Sequence, residues 1–255
     1  VASILSEVHA SEYNLRSARL DIPFIQRLYV VRTDSVISID GTQEQHDAYR
    51  HDIQGNGTWQ KVVDSIKMLN EYGVEWNAMA TANHFNAKNP LAFYRFFRDE
   101  LHCKFLQISP VVERIREHTD GRHLAHLFDE NCPIAPFSIR PEEWGHFMCD
   151  IFDEWVRHDV GEVFVQLFDA TLAGWMGVEP GICVYAEECG HAAVMEHNGD
   201  VYSCDRYAFP RYRLGNIMET LLGELMEENR PFGMHKTYGL PQDCFACPYV
   251  KLCFG

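Results

Sequence analysis

Six of the nine cysteines of this chain lie beyond residue 182, in two tight groups. Cys183, Cys189 and Cys204 are spaced C-x5-C-x14-C, and Cys244, Cys247 and Cys253 are spaced C-x2-C-x5-C. Asn198-Gly199 sits between the second and third cysteines of the first group. It is a two-residue hairpin signal that would let distant ligands converge. Thiolates grouped this way favour a soft metal ion or an iron–sulfur cluster. Each group offers three ligands where a zinc site or a cubane cluster takes four, so a partner must come from elsewhere. Zinc stays open on spacing alone. Buried thiols are the bland alternative, which fits the isolated Cys103, Cys132 and Cys149 better than six cysteines within about seventy residues.

Disulfides are disfavoured. The start of the chain lacks the basic, apolar and small-residue order of an export signal, and a reducing cytosol keeps thiols free. The chain is expected to be cytoplasmic. Its formal charge of −15, from 22 Lys and Arg against 37 Asp and Glu, would repel nucleic-acid phosphate and anionic lipid. No apolar run approaches the roughly 20 residues of a membrane span. Neither nucleic acid nor membrane is expected as a partner.

The first part of the chain reads as α/β. Val36–Ile39 is β-branched and closed by Asp40-Gly41, the pattern of a buried strand ending in a turn. Apolar residues at helical spacing from Thr58 to Tyr72 predict a helix stopped by Gly73. Val74–Ala80 predicts a second strand, Pro90–Leu101 a helix, and Phe105–Ile108 a third strand stopped by Pro110. Glu113–Pro136 is polar and reads as an irregular excursion. Pro141–His158 predicts another helix and Val163–Phe168 another strand. Strands alternating with helices are the mark of a parallel sheet with crossover helices, part of an α/β barrel or an open sheet. A domain boundary is expected between residues 175 and 182, where the cysteine-rich segment begins.

Several motifs then resemble one family. The run Cys183…Cys189-Gly190…Glu196-His197-Asn198-Gly199-Asp200-Val201-Tyr202-Ser203-Cys204-Asp205, then Leu214-Gly215-Asn216-Ile217 and the second cysteine group, resembles the SPASM domain of anaerobic sulfatase-maturating enzymes. Upstream, Ser38-Ile39-Asp40-Gly41, His46-Asp47-Ala48-Tyr49-Arg50 and Tyr94-Arg95-Phe96-Phe97-Arg98-Asp99-Glu100-Leu101 are similar to that family's radical S-adenosylmethionine (SAM) barrel, in the same order. The resemblance runs from about Val36 to Gly255. It implies a partial radical SAM (β/α) barrel over residues 1–178 and a SPASM domain with a β-hairpin over 179–255, and it makes zinc the minor alternative.

The resemblance also implies chemistry. Such enzymes cleave SAM reductively at a [4Fe-4S] cluster, and the deoxyadenosyl radical abstracts hydrogen from a Cys or Ser of a sulfatase, giving formylglycine. Cys183, Cys189 and Cys204 would bind one auxiliary [4Fe-4S] cluster, and Cys244, Cys247 and Cys253 another. Asp205 matches the family's acidic proton acceptor, a role that burial could favour by raising its pKa. Without the resemblance it would read as a turn cap or a partner of Arg206. Ser38, Arg50 and Val112 match positions that contact SAM. A hydroxyl at a strand end can bond ribose or carboxylate, a guanidinium can take the methionyl carboxylate, and Val112 would contribute backbone. Expected partners are a sulfatase polypeptide and a reductant such as flavodoxin or ferredoxin.

The family's C-x3-C-x2-C triad, which holds the SAM-binding cluster, has no counterpart here. Residues 1–35 match the family little and carry Arg16, Arg19, Arg27 and Arg32. The chain is therefore expected to be a fragment that makes no radical alone. Two other readings remain open: a SPASM radical SAM enzyme acting on another peptide, and a non-catalytic zinc-binding interaction module.

Overall fold

The computed structural model describes residues 13–14, 35–116, 124–125, 129–189 and 192–255. The expectations placed on residues 1–12, 15–34 and Gly190 lie outside them. The chain packs as two compact units, Val1–Gln166 and Leu167–Gly255.

The first unit is built on a parallel sheet. Its strands are β1 (Tyr13–Asn14), β2 (Ser35–Ser38), β3 (Trp76–Ala82), β4 (Phe105–Pro110) and β5 (Phe164–Val165), and they lie side by side in chain order. Every pairing is parallel, with Ser38 opposite Met79 and Thr81 opposite Ser109. Strands that never reverse their order form the arc of a (β/α) barrel, whereas doubly wound sheets reverse at a switch point. Helices α1 (Gln43–Asp47), α2 (Trp59–Glu71), α3 (Pro90–Arg95) and α4 (Pro141–His158) fall between the strands.

Sequence periodicity sets these elements. In α2, Val63, Ile66 and Leu69 are buried at helical spacing. In α4, Phe147, Ile151 and Trp155 are buried four residues apart, so Cys149 and Phe152 turn outward and are exposed. Cys149 is thus not a core thiol. Cys132 is half-buried, and only Cys103 meets the core-thiol expectation, at 2% exposure, with burial pushing its thiol up to about 12. The helix begun at Pro90 continues to Glu100, but Phe96–Glu100 is a widened π turn closed by the Leu101 N–H on the Phe96 carbonyl. Phe93 meets Phe97 at 5.0 Å and Phe147 at 5.1 Å between ring centroids, which joins α3 to α4. The Tyr94 hydroxyl donates to Asp159, which also takes an Arg98 bond, so this buried phenol has its partner.

The strand expected at Val163–Phe168 is cut short. Only Phe164 and Val165 pair with β4, and Gln166–Trp175 is helix α5. Phe168 and Ala170 are the buried residues of that helix. The apolar run serves both a strand end and a helix start, which periodicity alone does not separate. The 178/179 division expected from the sequence falls after α5.

The second unit holds a three-stranded antiparallel sheet of β6 (Val194–Met195), β7 (Asp200–Tyr202) and β8 (Arg213–Asn216). Four short helices follow: α6 (Leu222–Glu228), α7 (Arg230–Tyr238), α8 (Gln242–Ala246) and α9 (Val250–Cys253). The expected hairpin forms, with a three-residue loop rather than two. Gly199 donates to the Glu196 carbonyl and Glu196 to the Asp200 carbonyl, and of His197, Asn198 and Gly199 only Gly199 has positive φ, +87°. A two-residue type I′ turn needs positive φ at both central residues; a type I turn closed by one left-handed glycine does not.

Candidate functional site

One candidate site, in the first unit, lies where β2, β3 and β4 end. In parallel α/β sheets the carboxyl ends of the strands are where ligands bind. Ser38, half-buried, is the last residue of β2. Two residues on, Asp40 is buried at 4% exposure, and its Oδ1 accepts the Thr81 N–H at 2.8 Å. A buried carboxylate needs a cation. Arg50 supplies it as a fork, Nε to Oδ2 and Nη2 to Oδ1 at 3.1 Å, with Nη2 also 3.3 Å from the Thr81 hydroxyl. Arg50 thus closes α1 back onto the ends of β2 and β3.

His46 locks this turn from beneath. Its Nδ1 accepts the Asp40 N–H at 3.2 Å, and its Nε2 lies 3.0 Å from the Thr58 hydroxyl, which donates to the Arg50 carbonyl at 3.2 Å. A ring that accepts at Nδ1 and donates at Nε2 is neutral. Burial is the main cause that pulls its pKa down to about 4. The unfolded chain takes up this proton near pH 6.5 and the folded chain only near pH 4. The ring's contribution is therefore complete above pH 6.5 and lost as pH falls from there towards 4. The loss is on the order of 3 kcal/mol. Urea unfolding of the first unit between pH 4 and 7 should show this slope, and His46→Gln should flatten it; an unchanged slope in the variant removes His46 as its source.

Val112 follows β4. Val111 donates to Ala82 at 2.8 Å and accepts from Ile139 at 3.0 Å, which fixes the chain beside the end of β3. The Val112 side chain is 62% exposed, so core packing does not explain it. Its backbone N–H and C=O make no hydrogen bond among the described residues and stay available to a ligand. Asn83 and Asn86 brace the neighbouring loop: Asn86 Nδ2 donates to the Thr81 carbonyl at 2.8 Å, and Asn83 Oδ1 accepts from the Phe85 and Asn86 N–H groups. Ser38 and Val112 thus lie at strand ends of one sheet, and Arg50, past α1, is tied there by its contacts with Asp40 and Thr81. Asp40, His46 and Thr81 are site residues that the sequence reading misses; the available signal is an acid directly after a strand with a basic residue ten positions on.

A second candidate site lies within the cysteine-rich unit. Cys183 opens the 3-10 turn Cys183–Tyr185 and is exposed, while Cys189, Cys204, Cys244, Cys247 and Cys253 are half-buried. The two groups share a neighbourhood. Lys236 of α7 donates to the Val184 carbonyl at 2.7 Å and the Ala186 carbonyl at 2.6 Å, both close to Cys183 in the chain, and lies 3.5 Å from the Cys253 carbonyl. Burial pulls the pKa of that ammonium below the usual lysine value. Backbone contact also ties Cys189 to α7, through its N–H on the Gly233 carbonyl at 3.4 Å.

Asp205 starts the 3-10 turn Asp205–Tyr207 and is exposed; its Oδ1 accepts from the Cys204 thiol at 3.2 Å. The described residues around Asp205 do not provide the burial that would favour a proton-accepting role. Burial first, with the Asp205 bond and charge behind it, raises the pKa of the Cys204 thiol. Among the described residues no group of three His, Cys, Asp or Glu side chains is placed to hold a metal ion. Six thiols of two neighbouring groups are the donor type of iron–sulfur clusters, which spread their ligands around a larger body than one ion. By its chemistry the donor set fits an iron–sulfur cluster, and zinc shares that donor type.

Among the described residues no helix is long and apolar enough to cross a membrane. No family model matches the chain. The chain is 52% identical over 222 residues to the serine-type anaerobic sulfatase-maturating enzyme of Bacteroides thetaiotaomicron, covering 86% of this chain and 53% of that protein. It is 31% identical over 195 residues to the cysteine-type anaerobic sulfatase-maturating enzyme of Clostridium novyi, covering 76% of this chain and 48% of that one. Its fold matches the solved structure of native anSMEcpe with bound AdoMet and Cp18Cys peptide, at a TM-score of 0.76 and 23% identity, over 92% of this chain and 62% of that one. This chain is a relative of the anaerobic sulfatase-maturating enzymes and spans about half the length of the curated relatives it matches.

Proposed function

We propose that this chain is the part of a radical SAM sulfatase-maturating enzyme that carries one side of the SAM pocket, within residues 1–178, and the thiol ligands of two auxiliary [4Fe-4S] clusters, within 179–255. The reading rests on the 52% identity to the serine-type enzyme over 222 residues. That identity also favours a serine of a sulfatase as the residue converted to formylglycine.

In the whole enzyme, SAM bound at its own cluster would supply hydrogen-abstracting radical chemistry. The residues of this chain bind and orient. Ser38 would offer a hydroxyl at the end of β2, and Val112 its backbone N–H and C=O, which make no hydrogen bond among the described residues. Arg50 commits Nε and Nη2 to Asp40 and Thr81, while Nη1 makes no hydrogen bond among the described residues. It therefore presents a SAM carboxylate with a single amino group on an anchored guanidinium rather than a full fork. The six cysteines serve as thiolate ligands. Ligation requires Cys204 to lose its proton, which frees the Asp205 oxygen that accepts from it and leaves that carboxylate as the proton acceptor for the substrate. A substrate peptide would then supply the cover that Asp205 lacks. A flavodoxin or ferredoxin would deliver the electrons.

No C-x3-C-x2-C spacing occurs in residues 1–255. The anaerobically reconstituted polypeptide is therefore expected to bind iron and yet cleave no SAM. The full-length gene product should remove two hydrogens from the serine of a sulfatase peptide, read by mass spectrometry. SAM cleavage that leaves both serine and cysteine sulfatase peptides intact would transfer the reading to another peptide substrate. Zinc without iron in the reconstituted chain would end it.

A further inference from the structure

We infer that Lys236 is a cationic positioning residue shared by the two cysteine groups, holding their loops together and placing a fixed positive charge beside the clusters they bind. The inference rests on the cluster reading above and goes beyond it.

Lys236 lies near the end of α7, between the two cysteine groups in the chain. Its ammonium reaches three backbone carbonyls, Val184 and Ala186 from the loop of the first group and Cys253 from the last helix of the second. An ammonium has three protons, and three acceptors use them all. Charge-assisted bonds to backbone carbonyls are about twice as strong as neutral ones, so this contact outweighs any single backbone bond nearby. It joins segments that are far apart along the chain, one at the start of the cysteine-rich unit and one at its end. A lysine committed to carbonyls rather than to a carboxylate also keeps its charge uncompensated. Clusters ligated by thiolates are negative, and a nearby cation favours the reduced form, which carries one more negative charge. Charge and hydrogen bonding around a cluster are among the factors that set its potential.

The full chain, reconstituted anaerobically with iron and sulfide, tests this with Lys236→Met and Lys236→Arg. Bound iron is measured directly, and midpoint potentials are taken by a dithionite titration followed by electron paramagnetic resonance. Lys236→Met is expected to shift the potential to more negative values, or to lose more than half of the bound iron, while Lys236→Arg stays with the parent. Iron and potential both unchanged in Lys236→Met overturn the inference, and so does a Lys236→Arg protein that behaves like Lys236→Met. A parent chain that binds no iron overturns the cluster reading as well, and that failure shows before any substitution is made.

Discussion

Asp40→Ala is expected to destabilise the first unit by about 3 kcal/mol, the low end of what breaking a buried ion pair costs. The reasoning is one of leftover charge. Asp40 is buried, and its two oxygens take the Thr81 N–H and the Arg50 fork. Without the carboxylate, the guanidinium keeps only the Thr81 hydroxyl and the Thr81 N–H loses its acceptor. Arg50 is one-third exposed, so water recovers part of the loss, which is why the low end applies. Arg50→Met leaves the more buried partner alone and is expected to cost at least as much. Denaturant unfolding of the two variants measures both; a cost below about 1 kcal/mol for either would put the pair in the class of surface ion pairs.

The same pair bears on SAM. If Arg50 bound the methionyl carboxylate with its whole fork, Asp40 would be a competitor for it, and removing Asp40 would free the guanidinium. The observed geometry makes Asp40 the anchor instead. Asp40→Asn retains the shape and the Thr81 bond while weakening the hold on Nε and Nη2, so it should loosen the arginine rather than liberate a better binding group.

Much of this is legible in the sequence, for physical reasons that differ by element. Strands β2 to β4 and helices α2 and α4 announce themselves because one face of each is buried, so the apolar period is written into the chain. The same period turns Cys149 outward, two residues past the buried Phe147, against the core-thiol expectation that its isolation suggests. The end of β5 does not, because a run such as Val163–Phe168 satisfies both a short strand and the first turn of a helix. The loop after Met195 is legible as a hairpin but not in its length, which depends on the backbone angle of Asn198. Cysteine spacing marks the candidate ligands, yet gives no hint of Lys236, since a single lysine between two motifs has no pattern of its own. The Asp40 and Arg50 pairing leaves only a faint trace, an acid after a strand with a basic residue ten positions on. It depends on α1 turning the chain back over the strand end, and in sequence Asp40 reads simply as a turn residue.

Gly233→Ala should show how closely α7 is pressed on the first cysteine group. A β-carbon at Gly233 would fall 1.8 Å from the Cys189 carbonyl oxygen and 2.5 Å from its carbon, both backbone atoms. No rotamer change relieves such a contact, so either α7 or the Cys189 loop must move. Overpacking of this kind costs roughly 3 kcal/mol. Replacing a helical glycine by alanine otherwise gains about 1 kcal/mol, so the clash decides the sign. Gly223 in α6 is the control, because nothing lies within 4 Å of a β-carbon there, and Gly223→Ala should be neutral or stabilising. The expected result is a less stable second unit for Gly233→Ala alone, with less iron bound on reconstitution because the displaced loop carries Cys189. Stability equal to that of the Gly223 variant would mean that α7 does not rest on Cys189, and a cluster held by the first cysteine group would then have to draw its rigidity from the Lys236 contacts alone.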